Sequence, residues 1–167
     1  MPTYIKLRDG QAGIAEDAFT WVPDEEILPK GDVIISLTRF QADGERLLGE
    51  GRAIGVRIEA DEAVEDLAYD LPRLAVVALA YPKYQDGRAF TGARLLRERF
   101  AYAGEVRAVG DVLREQAGFM VRCGFDAFEP ADGSSAQEWQ AATQRFRHVY
   151  QRAADPRPTA FEEREGA

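Results

Sequence analysis

Residues 81–90 read YPKYQDGRAF, a lysine, an aspartate and an arginine within six positions. Lys83, Asp86 and Arg88 are the residue types of acid–base chemistry on an anionic substrate. A carboxylate or amine moves a proton when its surroundings shift its pKa, and an arginine grips a carboxylate or phosphate in two-pronged fashion. Lys83 and Asp86 are the candidate catalytic pair. Glu59, Arg88, Arg107, Asp111 and Arg114 are the candidate substrate- or anion-binding residues. Each also has a plainer structural reading. Asp86-Gly87 is a favoured turn pair. Asp86–Arg88 and Arg107–Asp111 are spaced to form ion pairs that fix loops, and Arg57 and Arg107 lie inside strands where Glu59 and Glu105 would neutralise them.

Other chemistries are thinly supported. The one cysteine, Cys123, shares a helical face with Val112, Gln116, Phe119 and Met120 and reads as packing. One thiol is too few for an iron–sulfur cluster, and one cysteine with one histidine, His148, falls short of a zinc site. No metal is expected. Gly49-Glu-Gly51-Arg-Ala-Ile-Gly55 has the wrong spacing for a dinucleotide loop and precedes a strand, and no Gly-x-x-x-x-Gly-Lys loop is present. No cofactor is expected either.

The elements that must position the charged residues alternate between two periods. Val33–Leu37, Ala53–Ile58, Leu74–Ala80, Glu105–Val109 and Phe125–Phe128 read as strands. Val64, Leu67, Ala68 and Leu71 lie at i, i+3, i+4 and i+7, one face of a helix. Ala93, Leu96 and Phe100 repeat likewise, and Gln41–Glu50 is a polar stretch. Ser135-Ala-Gln-Glu138 has the form of a capping box, ahead of a stripe of Trp139, Ala142, Phe146, Val149 and Tyr150. Asp61 and Asp111 stand where N-caps belong.

This rhythm predicts a single α/β domain over residues 1–154. It should hold about five mostly parallel strands with crossover helices, as an open three-layer sheet or a partial β/α barrel. Residues 1–30 should form an N-terminal β-hairpin or flap, and 155–167 a flexible acidic tail. Parallel crossovers gather the residues after each strand on one rim, where open α/β sheets bind ligands.

Composition narrows the partners. The 167 residues carry 21 basic and 29 acidic side chains, a net charge of −8, which argues against nucleic acid and anionic membranes. Lys83–Arg122 holds eight basic and five acidic residues, net +3, leaving −11 elsewhere; such a segment suits a small anion or an acidic partner. No apolar stretch approaches the roughly 20 residues of a membrane span. The lone cysteine and the absence of a secretion-signal core at the start point to a cytoplasmic protein.

From Asp61 to Glu129 the chain resembles the bacterial domain-of-unknown-function family numbered 934. The stretches that carry the likeness are DLAYDL (66–71), DGRAFTGARLLRER (86–99), GEVRAVGDVLREQ (104–116) and RCGFDAF (122–128). Members often read Gly, Tyr or Phe, then Ser where Ala89, Phe90 and Thr91 stand, and Asp where Glu115 stands. Such proteins are often labelled oxidoreductases of sulfite reduction and are encoded beside sulfite reductase. The resemblance implies an accessory protein of assimilatory sulfite reduction that binds a small anion or the reductase. Two other readings stay open. One is a lyase- or isomerase-type enzyme acting on a small anionic metabolite. The other is a non-catalytic scaffold that forms a homodimer.

Overall fold

The computed structural model describes residues 4–166. Eight strands form one sheet: β1 (Ile5–Arg8), β2 (Gln11–Ile14), β3 (Phe19–Trp21), β4 (Asp32–Ser36), β5 (Ile54–Ile58), β6 (Val76–Tyr81), β7 (Glu105–Gly110) and β8 (Ala127–Phe128). Across the sheet they run β2-β1-β8-β7-β6-β5-β4-β3. Neighbours from β3 to β8 are parallel, whereas β1 runs antiparallel to both β8 and β2. The α/β class with mostly parallel strands holds, but the sheet has eight strands where five were expected. The N-terminal hairpin is β1–β2, and it joins the same sheet. β3 departs from it entirely and lies at the far edge.

That departure forces the shape of the sheet. β2 and β3 occupy opposite edges, yet only residues 15–18 connect them. Five Cα steps reach about 18 Å at most, whereas seven strand spacings in a flat sheet measure about 34 Å. The sheet therefore curls into a half-barrel, and the 15–18 strap crosses its concave face. Side-chain size favours the curl. Gly55, Ala78 and Ala80 line the concave side of β5 and β6, and a Cβ on Gly55 would lie 2.8 Å from Ile34 Cγ1. Val56, Ile58, Val77, Leu79 and Tyr81 fill the convex side.

All the core-forming helices cover that convex side. They are α1 (Leu37–Gly49), α2 (Arg88–Arg94, extended by a wider π turn, Leu95–Arg99), α3 (Ala117–Cys123) and α4 (Ala136–Thr143). Phe40, Leu47, Ala93, Leu96, Met120 and Trp139 enter one core with the convex strand residues. Helices on one face only rule out the three-layer alternative. A short α5 (Ala160–Glu165) follows, so residues expected to form an acidic tail carry a helix with its own capping box, Thr159–Glu162.

Four local expectations are corrected. α1 occupies the stretch read as polar, started by Ser36, whose Oγ accepts the Arg39 N–H at 3.0 Å. Residues 64–73 form two 3₁₀ turns, Val64–Leu67 and Leu71–Arg73, instead of one α-helix; i, i+3 spacing also suits the tighter turn, and Pro72 removes a donor. α4 stops at Thr143, leaving Phe146 and Tyr150 exposed. Neither Asp61 nor Asp111 caps a helix; the side chain of Asp111 instead accepts the Tyr84 N–H at 2.8 Å.

Candidate functional site

Strand direction places the ends of β5, β6 and β7 on one rim, and several of the candidate residues meet there. Glu59 follows β5 and Arg88 opens α2, and both line a cleft of about 360 Å³. Its floor is apolar, with Ile58, Val64, Leu79 and Leu95, and Glu62 and Glu65 complete the acidic wall. Lys83 and Asp86 occupy the loop between β6 and α2, closed by a turn in which the Asp86 N–H meets the Lys83 carbonyl at 2.9 Å. Asp111, just past β7, ties this loop down through Tyr84. Gly110 makes that approach feasible: its φ is +91°, and a Cβ there would collide with the Tyr81 carbonyl oxygen.

The charges on this rim are largely committed to one another. Arg88 donates from Nε and Nη2 to the Asp86 carboxylate at 3.0 and 2.5 Å, and its backbone N–H adds a bond at 3.1 Å. Those contacts pull the Asp86 carboxyl down to about 2. It is ionised throughout the neutral range and is a poor proton acceptor. Glu59 accepts Arg57 Nε at 2.6 Å, along its own strand and not across the sheet. Lys83 is exposed and makes no ion pair among the described residues.

Arg107 and Arg114 lie elsewhere. Arg114 sits at the start of a 3₁₀ turn before α3 and pairs with Glu138 of α4. Arg107 is fully buried on the concave face and makes three ion pairs: Glu105 at 2.8 Å, Asp17 of the strap at 2.7 Å and Glu129 at 3.0 Å. Its guanidinium also lies 4.3 Å from the Tyr4 ring centroid. Glu105 receives Lys6 Nζ and the Tyr4 hydroxyl, each at 2.6 Å. Burial alone would raise the Glu105 carboxyl, but the Arg107 charge and these hydrogen bonds outweigh it and hold it below its ordinary value. With three carboxylates around it, Arg107 has no capacity left for an external anion.

A family model described as a bacterial protein of unknown function, DUF934, matches residues 55–161. The chain belongs to the DUF934 family. No curated protein matches it. The DUF934 region begins in β5 and ends in α5, so it contains the rim cleft, the 83–88 loop and α2–α4. Outside it lie β1–β4, α1 and the strap that supplies Asp17.

Sequence reasoning missed two features of this DUF934 chain. Tyr4, Asp17 and Glu129 converge on Arg107, and Lys6 on Glu105, from up to 103 positions away, and only the alternation Glu105-x-Arg107 within β7 hinted at a charged inward face. A second and larger cavity, about 800 Å³, lies between the hairpin, α3, α4 and the segment after α4. No local motif marks it. Cys123 packs in the core as read, and burial raises its thiol pKa.

Proposed function

We propose that this protein is a non-catalytic accessory factor of assimilatory sulfite reduction that docks the reductase on its strand-end rim. The observation that carries this reading is the commitment of the rim charges. Asp86 is locked to Arg88, Glu59 to Arg57 and Asp111 to the Tyr84 amide. A general base needs a carboxyl poised near the working pH, and Asp86 is held far below it. The cleft suits a protein partner better than a small anion. Arg57 takes one oxygen of Glu59, Glu65 meets Arg99 only at 3.9 Å, and Glu62 has no cation partner among the described residues, so this wall above an apolar floor repels an anion and would receive a lysine or arginine with its hydrocarbon stem. The sulfur assignment itself rests on the family resemblance.

The enzyme reading retains one supporting observation, Lys83, which has no ion pair among the described residues and lies on the loop that leads to Arg88 of this cleft. One experiment separates the two. The tagged chain should copurify with sulfite reductase, and Glu59→Lys/Glu65→Lys should abolish that while Lys83→Met leaves it intact. A deletion strain should grow poorly on sulfate and normally on cysteine. Normal growth on sulfate would overturn the assignment, and turnover of a metabolite by the isolated chain, lost in Lys83→Met, would establish the enzyme instead.

A further inference from the structure

The cavity of about 800 Å³ lies away from the rim cleft and shares no lining residue with it. Its walls come from the β1–β2 turn, from α3, and from residues 143–157. Leu7, Val121 and Phe125 give it an apolar floor. That volume far exceeds an inorganic oxyanion and is within the range of organic ligands.

The charges around it are unequal. Four arginines and three aspartates line the cavity. Arg97 is spent: it donates to the Gly124, Tyr102 and Gly104 carbonyls and pairs with Asp126 at 3.2 Å. Arg122 donates to the Gln151 carbonyl, and its Nε faces Asp155 at 3.7 Å. Asp9 stands exposed in the hairpin turn. Two cations form no ion pair among the described residues. Arg157 donates only to the backbone carbonyls of Phe146 and Arg147. Arg147 is exposed, and its guanidinium makes no hydrogen bond or ion pair among the described residues. The Asp155 side chain is only 10% exposed, and Arg122 is the cation that faces it, so this carboxylate is not spent on the two remaining arginines.

We infer that this cavity binds an amphiphilic organic anion, its acid group on Arg147 and Arg157 and its apolar body on Leu7, Val121 and Phe125. The apolar floor gives the body a place that an inorganic ion cannot use. Arg147, with no partner among the described residues, and the donors that Arg157 does not spend on backbone carbonyls give the acid group charge-assisted hydrogen bonds. The segment 154–157 that closes the cavity is held to α3 by the Ala154 N–H donating to the Arg122 carbonyl at 3.0 Å. Binding there is independent of partner docking at the rim.

Anilinonaphthalene sulfonate, an aromatic body with one sulfonate, is a direct probe. The full chain should bind one equivalent with blue-shifted fluorescence while its thermal unfolding stays cooperative. Arg147→Gln should weaken binding about five-fold, in line with an exposed charged contact. Arg145→Gln removes the same charge two residues away, outside the lining, and should leave binding unchanged. Inorganic phosphate at equal concentration should not compete, whereas naphthalene sulfonate should. Equal effects of Arg145→Gln and Arg147→Gln, displacement by phosphate alone, or no saturable binding would each overturn the assignment.

Discussion

Replacing Arg107 by methionine removes the one buried cation of the concave face and leaves its acids behind. The wild-type cluster already holds three carboxylates, Glu105, Asp17 and Glu129, against Arg107 and Lys6. In Arg107→Met, Lys6 is left as the partner of Glu105, which is only 8% exposed in the wild type. Breaking a buried pair from one side costs about 3–5 kcal/mol, because the abandoned charge keeps its desolvation penalty. With a urea m-value of about 2 kcal/mol/M, the midpoint should fall by about 2 M. Urea unfolding followed by the fluorescence of Trp139, which is fully buried, measures this directly. The pH dependence is the sharper test. In the wild type the Glu105 carboxyl is held below its unfolded value, so its contribution is complete above the ordinary carboxylate range and is lost as pH falls through the folded value. In Arg107→Met burial dominates and raises the folded Glu105 carboxyl, so the variant should regain stability as pH falls from 7 to 5 while the wild type does not. A loss below about 1 kcal/mol at pH 7, or equal losses at both pH values, would refute the account of the cluster.

Other outcomes follow from single contacts. Asp86→Asn should lower the unfolding midpoint only slightly, because the Arg88 end of the pair is exposed and water screens it. Carboxyl NMR of the wild type should place Asp86 near 2, so that its stabilising contribution is present above the unfolded value and fades only as pH falls toward 2. Gly110→Ala should destabilise by about 2 kcal/mol, because φ is +91° and the added methyl meets the Tyr81 carbonyl; circular dichroism melting will measure it. Trp139→Ala should cost about 3–5 kcal/mol by chemical denaturation, through loss of the Phe128 contact at 4.5 Å and of the indole N–H bond to Ser134 at 2.8 Å. Trp139→Phe, which keeps most of the volume, should cost less than half of that.

The readable parts of this fold were those with local cause. β4 and β6 are nearly continuous apolar runs, β5 and β7 are apolar on their convex face, and the Ser135–Glu138 box marks the start of α4. α1 escaped because its buried face is Leu37, Phe40, Gly44 and Leu47. The third member is a glycine that lies against the Phe40 ring, where a Cβ would come within 2.8 Å, so an apolar template loses a turn there. The 64–73 segment misled for the opposite reason: its i, i+3 spacing was real but served 3₁₀ turns. On the rim, Glu59 and Arg88 do share a cleft, because parallel strands deliver them to one edge. Arg114 has its partner on α4, beyond the reach of any local pattern.

Arg107 shows why the remainder was illegible. In the sequence it is an arginine in a strand, inside the basic segment Lys83–Arg122, which suggests an anion ligand. Its meaning depends on curvature, and curvature depends on a strap of four residues joining the two edges of an eight-stranded sheet. The strap must cross the concave face, where the sheet offers small residues and therefore room. Crossing brings Asp17 onto Arg107 from 90 positions away. The anion that this arginine binds is thus supplied by the chain itself, and the contact holds the curled sheet to the segment that makes it curl. Cutting that contact at its exposed end is the gentler experiment. In Asp17→Asn, Arg107 keeps Glu105 and Glu129, so stability should fall by about 1–2 kcal/mol. Amide exchange should speed up in β3, the short edge strand that the strap delivers, while β6 stays protected.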